Sequence, residues 1–154
     1  MITAAIGPFL AALLAIAFHP STSASSASPS DIPGILDAIR MVECRDRVNC
    51  PDGDGGRSIG PYQISLKYYR DAVEFDPRIG GSYQDCRNRA FAERVVRAYM
   101  LRYAPQAWRS GDAEVIARVH NGGPRGASIL STIKYWEKVR RVMGQDSRRD
   151  LAAR

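Results

Sequence analysis

The chain has 154 residues, with Lys+Arg 22 against Asp+Glu 16 and a formal net charge of +6. That length suits one domain with room for a core. The basic residues are scattered, without zinc-finger spacing, an RNP-like aromatic motif or a basic zipper, which argues against nucleic acid as the partner. The charge favours polyanionic surfaces, bacterial envelopes among them, without selecting one.

Residues 1–24, "MITAAIGPFLAALLAIAFHPSTSA", contain no Lys, Arg, Asp or Glu, carry an apolar run from Ile6 to Phe18, and end in small residues. This pattern predicts a signal peptide cleaved near Ala24, even though the positive n-region is missing. The run is shorter than the ~20 residues of a spanning helix and is interrupted by Gly7 and Pro8, so no stable membrane insertion is expected. Residues 25–30 form a polar spacer, and the folded domain is expected over 31–143. Export into an oxidising compartment makes the short loop between Cys44 and Cys50 the natural disulfide, with Cys86 either free or an alternative partner of one of them. With no Cys-x-x-Cys pair, and a single mature His far from the cysteines, neither a metal nor another cofactor is expected.

In chain order, Ile32, Ile35, Leu36, Ile39 and Val42 follow helical spacing, with Ser30 or Asp31 as cap and Pro33 in the first turn, and the helix ends near Cys44. A glycine-rich stretch, "DGDGG" at 52–56, precedes "RSIGPYQIS", whose alternation around Gly-Pro predicts a small hairpin. "LKYYRDAVEF" is a short helix before Pro77, and "RNRAFAERVVRAYMLRYA" a long one that Pro105 ends. "DAEVIARVH" starts behind an Asp cap and stops at Gly122–Pro124. "ASILSTIKYWEKVRRVM" supplies the last helix, and the basic tail 144–154 is expected to be disordered. The fold class is α+β, predominantly α-helical, with a small β-hairpin.

Projected at ~100° per residue, Glu43 falls on the face shared by Ile32, Leu36 and Ile39. Burial disfavours an ionised carboxylate and raises its pKa, which a general acid working near neutrality requires. A Glu at a helix C-terminus also opposes the helix dipole, so nothing local explains it. Asp52 and Asp54 sit in a turn where backbone N–H groups and water favour the charged form, as a nucleophile or oxocarbenium stabiliser requires. Ordinary turn chemistry is the bland alternative, and "DGDGG" lacks the full EF-hand pattern.

"GPYQIS", "VVRAYMLRYA" and above all "ARVHNGGPRGASILSTIKYWEKV" resemble the invertebrate-type lysozymes, the family that includes destabilase, over about Ile35 to Met143. The resemblance implies a lysozyme-like fold and a secreted, monomeric muramidase acting on bacterial peptidoglycan, antibacterial or digestive. Glu43 is then the proton donor and Asp54 the second carboxylate, with Asp52 its competitor because the loop is shorter than the family's. It also places His120 and Asn121 beside the sugar-binding groove, where His120 would otherwise read as a packed core residue. From the residues themselves, Gln63 by amide hydrogen bonds and Tyr62 and Tyr99 by stacking are candidates for substrate contact, with packing in the core or hairpin the alternative for each. The isopeptidase activity associated with destabilase rests on a Ser and a Lys whose places are taken here by Gly56 and Ser65. Ser58 paired with His120 is the only substitute, and it lacks an orienting third group. Three rivals to the muramidase remain: a non-catalytic cationic envelope-binding protein, that isopeptidase, and digestive chitin hydrolysis by the same carboxylates.

Overall fold

The computed structural model describes residues 32–152 apart from positions 46 and 48, with side chains through 145. The expected signal peptide, spacer and first helix cap lie outside the described residues. Helix α1 (Ile32–Cys44) buries Ile35, Leu36, Ala38 and Ile39 as its spacing predicts. Strands β1 (Ser58–Ile59) and β2 (Ile64–Ser65) pair antiparallel, Ser58 with Ser65 and Ile59 with Ile64. Helix α2 (Leu66–Phe75) starts at Ser65, whose hydroxyl accepts the Tyr68 N–H. Helix α3 (Arg89–Tyr103) starts at Asn88, whose side chain accepts the Phe91 N–H. Such caps satisfy backbone donors that have no partner inside the helix.

Three boundaries differ from the sequence pattern. Pro105 ends α3, but it also opens a further helix, α4 (Pro105–Ser110), because its fixed φ suits a first turn. Trp108 lies on α4 and packs against the core. After α5 (Ala113–Gly122), the segment expected to begin the last helix instead makes two 3₁₀ turns, and α6 (Ile133–Ala152) starts at Ile133 rather than Ala127. The cause is local hydrogen bonding. The Thr132 hydroxyl lies 2.8 Å from the Gly126 carbonyl and 2.7 Å from that of Ile129, and accepts from Arg118 Nε at 3.0 Å. At its other end α6 runs to Ala152, past Gly144 where a disordered tail is expected; no proline interrupts it.

The core sits where α1, α3, α5 and α6 meet. Ile35, Ile39, Val95, Ile116 and Val139 have no exposure there, and each such aliphatic side chain contributes roughly 2 kcal/mol. Cys44 and Cys50 form the expected disulfide, which ties the end of α1 to the glycine-rich loop; Cys86 is a buried thiol. Among the described residues, no helix is long and apolar enough to cross a membrane, and no group of three or more His, Cys, Asp or Glu is placed to hold a metal.

The hairpin is held against the rest of the molecule at Gly60. Its φ is +73°, and a Cβ there would meet the Cys86 carbonyl oxygen at 2.0 Å. Gly60→Ala adds a strained backbone to a clash with a backbone atom, so it should cost about 3 kcal/mol or more. Urea unfolding followed by circular dichroism measures that loss.

Candidate active site

A polar cleft of about 410 Å³ opens where the end of α1, the loop at 53–58, the hairpin and the end of α5 come together. Glu43, Gly53, Asp54, Ser58, Gln63, Ser65, Tyr68, His120 and Asn121 line it. Of the expected site residues, the fold thus brings together Glu43, Asp54, Gln63, His120 and Asn121.

Glu43 stands in the last turn of α1 with its carboxyl half-buried. Burial pushes its pKa above the ordinary value. The Tyr135 phenol opposes that rise, the nearby Asp54 charge adds to it, and Lys138 also opposes it. Tyr135 and Lys138 are three residues apart on α6, so one helix face presents a hydroxyl and a cation to this carboxyl. Among the described residues the buried Tyr135 hydroxyl has no hydrogen-bond partner of full geometry, and Glu43 is the carboxyl it acts on. Neither residue was named from sequence. Their one sequence signal is a shared helical face, which by itself does not point to Glu43.

Asp54 reaches the cleft through unusual backbone. Its φ is +51°, followed by Gly55 at +67° and Gly56 at +89°. A left-handed Asp is tolerated at a cost of roughly 1 kcal/mol. The bridge between Gly53 and Ser58 closes the loop, and Arg57 Nε donates to the Asp54 carbonyl at 2.8 Å. The Ser58 hydroxyl, buried beside β2, donates to Asp54 Oδ2 at 3.1 Å and so orients the carboxylate. Gln63, also left-handed at φ +46°, donates from Nε2 to the carbonyls of Gly60 at 2.9 Å and Pro51 at 3.1 Å. That locks its amide over Gly53 at the cleft wall, where an added Cβ would lie 2.1 Å from Oε1.

Asp52 points elsewhere. Arg87 grips it with both guanidinium arms, the Nη2 contact being 2.8 Å, and this exposed pair holds the Asp52 carboxyl below its usual pKa. It does not line the cleft.

Two expected contact residues are corrected. Tyr62 has no exposure, and its hydroxyl donates to Glu93 Oε1 at 2.9 Å, which leaves no face for a sugar. Tyr99 is buried and stacks on Tyr68 with ring centroids 3.5 Å apart. Packing wins for both: Tyr62 is buried with its hydroxyl satisfied, and Tyr99 is buried by ring stacking. His120 lines the cleft but is itself buried, its ring nitrogens facing the Tyr62 carbonyl at 3.1 Å and the Tyr68 hydroxyl at 3.3 Å. A carbonyl can only accept, so Nε2 carries the proton and Nδ1 accepts from Tyr68. Both nitrogens are thus used, and neither hydrogen-bonds Ser58.

Desolvation lowers the His120 pKa to about 4. The unfolded chain takes up a proton at this position below about pH 6.5, whereas the folded one does so only near 4. Stability should therefore fall by about 3 kcal/mol as the pH drops across that window. Urea midpoints measured from pH 7 to 4 should show this loss in the parent and a smaller one in His120→Gln.

This architecture is shared with solved lysozymes. The crystal structure of Meretrix lusoria lysozyme in complex with Aeromonas hydrophila PliI superposes with a TM-score of 0.58 at 37% identity, covering 70% of this chain and 86% of that one. Fold and cleft define the class as a lysozyme-type glycoside hydrolase. Residues 36–142 match the sequence model of the Destabilase family. Invertebrate-type lysozyme 6 of Caenorhabditis elegans is 37% identical over 105 residues, 64% of this chain and 75% of the relative. The lysozyme of Magallana gigas is 42% identical over 83 residues, 53% of this chain and 58% of the relative. The chain belongs to the Destabilase family, the invertebrate-type lysozymes.

Proposed function

We propose that this enzyme is a secreted muramidase that cleaves the β-1,4 bond between N-acetylmuramic acid and N-acetylglucosamine in bacterial peptidoglycan. The observation that carries the reading is that one cleft holds a half-buried Glu43, its pKa raised, together with Asp54, whose carboxylate Ser58 orients. Glu43 donates its proton to the glycosidic oxygen as the bond breaks. Asp54 faces the anomeric carbon, where it attacks or stabilises the oxocarbenium-like transition state. The Glu43 anion left behind is stabilised by Tyr135 and Lys138, and it then takes a proton from the incoming water. Asn121 and the locked Gln63 supply polar groups along the wall for the N-acetyl and hydroxyl groups of the sugars.

The net charge of +6 supports adsorption to anionic walls, and the Cys44–Cys50 disulfide supports an oxidising, extracellular destination. The isopeptidase reading draws no support from the cleft, since Ser58 is committed to Asp54 and His120 to two tyrosines. The test is digestion of purified peptidoglycan with mass spectrometry of the fragments. New reducing ends on muramic acid support the reading. Binding to walls without any new reducing end leaves the cationic envelope-binding alternative.

A further inference from the structure

Helix α3 carries four arginines, and they divide into two kinds. Arg89 pairs with Asp37 and Glu93, both at 2.8 Å, and Arg102 pairs with Glu74 at 3.0 Å. Arg94 and Arg97, one turn apart and exposed, have no carboxylate partner among the described residues. Those two line a separate pocket of about 230 Å³ with Asp76, Arg78 and Ile79, from the end of α2 and the 3₁₀ turn after it. None of these residues lines the carboxylate cleft.

Three guanidinium groups therefore surround one carboxylate, an excess of two positive charges. Two of the three are held in place. Asp76 accepts Arg78 Nε at 2.8 Å and Nη2 at 3.1 Å, and the Arg94 guanidinium sits 5.0 Å from the centroid of the Phe91 ring. Arg97 faces Asp76 from farther away, beyond ion-pair distance, and helps to hold that carboxyl below its usual pKa. Like charges at this spacing repel, and orienting their side chains in advance lowers the entropy lost on binding. The arrangement suits an anion with more oxygens than a planar carboxylate offers. Tetrahedral phosphate presents them in several directions and accepts paired N–H donors from arginine.

We propose that Arg78, Arg94 and Arg97 form a phosphate-binding site away from the cleft, which takes the phosphate groups of envelope polymers or the free ion. The site is independent of the muramidase reading, although an enzyme working on bacterial walls gains from it a second point of attachment.

The test is a titration of the purified enzyme at constant ionic strength, following the arginine Nε–H signals by NMR. One arm uses inorganic phosphate and the other poly(glycerol phosphate). Saturable shifts are expected at these three arginines. Arg94→Gln/Arg97→Gln should weaken binding by about tenfold or more, since it removes two charge-assisted contacts. Arg109→Gln/Arg140→Gln, which removes the same charge from exposed positions on α4 and α6, should weaken it by less than about twofold. Much tighter binding of the polymer assigns the site to envelope phosphate, and equal binding assigns it to the free ion. Equal weakening by both double variants, or shifts that never saturate, overturns the site in favour of a diffuse field. Cleavage of phosphate-free peptidoglycan should be unchanged in Arg94→Gln/Arg97→Gln. Its absence in the parent enzyme would count against the muramidase reading alone.

Discussion

Glu43→Gln is expected to remove cleavage of purified peptidoglycan almost completely, by a factor of about 10²–10⁴ in kcat, because the amide has no proton to give the leaving oxygen. The fold should survive. The Glu43 pKa is raised in the folded state, so ionisation costs stability as the pH climbs past the ordinary carboxylate range, and Gln carries no such cost. Thermal unfolding at neutral pH should therefore show a midpoint equal to or above that of the parent, which separates lost chemistry from lost structure. The same shift sets the pH dependence. Activity should persist above the usual glutamate range, then fall as the pH rises through the Glu43 pKa and the acid loses its proton. A Glu43→Gln enzyme that still releases reducing ends at near-parental rates would sink the assignment.

The second large effect is a contrast between neighbours in one loop. Asp54→Asn should lower kcat by about a hundredfold or more, since the amide cannot provide the charge that opposes the developing oxocarbenium ion. Ser58 can still hydrogen-bond the Asn carbonyl, so the loop should keep its shape and KM should change little. Asp52→Asn, two residues away, should leave kcat within a few-fold of the parent, because it loses only an exposed pair with Arg87. Equal losses in the two variants would mean that the loop acts as a unit and that Asp54 has no separate role. The anomeric configuration of the first product then distinguishes attack by Asp54, which retains configuration, from attack by water, which inverts it.

The first helix was legible without coordinates because its apolar residues repeat at three and four, and that periodicity also carried Glu43 to a buried face. The hairpin was legible from Gly-Pro between alternating residues, and the disulfide from a short loop between two cysteines. Two of the expected sugar contacts were not readable in this way. Tyr62 looks like a stacking platform from its place in the hairpin, but which side of a two-residue strand is covered depends on α3, which brings Glu93 to its hydroxyl from 31 positions away. Tyr99 is taken in the same manner by Tyr68, whose ring stacks on it.

By itself, then, the sequence determined the main periodic elements, the Asp112 cap of α5, the disulfide and the acid on the inner face of α1, since all of these rest on interactions among residues a few positions apart. Only the tertiary structure decided between Asp52 and Asp54 as the carboxylate beside Glu43. The two share a glycine-rich loop and the same local chemistry. Their separation comes from Arg87 on one side and Ser58 with a left-handed backbone on the other, and those partners meet them only when the chain has folded. The same holds for Tyr135 and Lys138, which reach Glu43 from the far end of the domain because α6 packs along α1. A pKa depends on the charges and solvent around a group in space, and nearness along the chain says little about either.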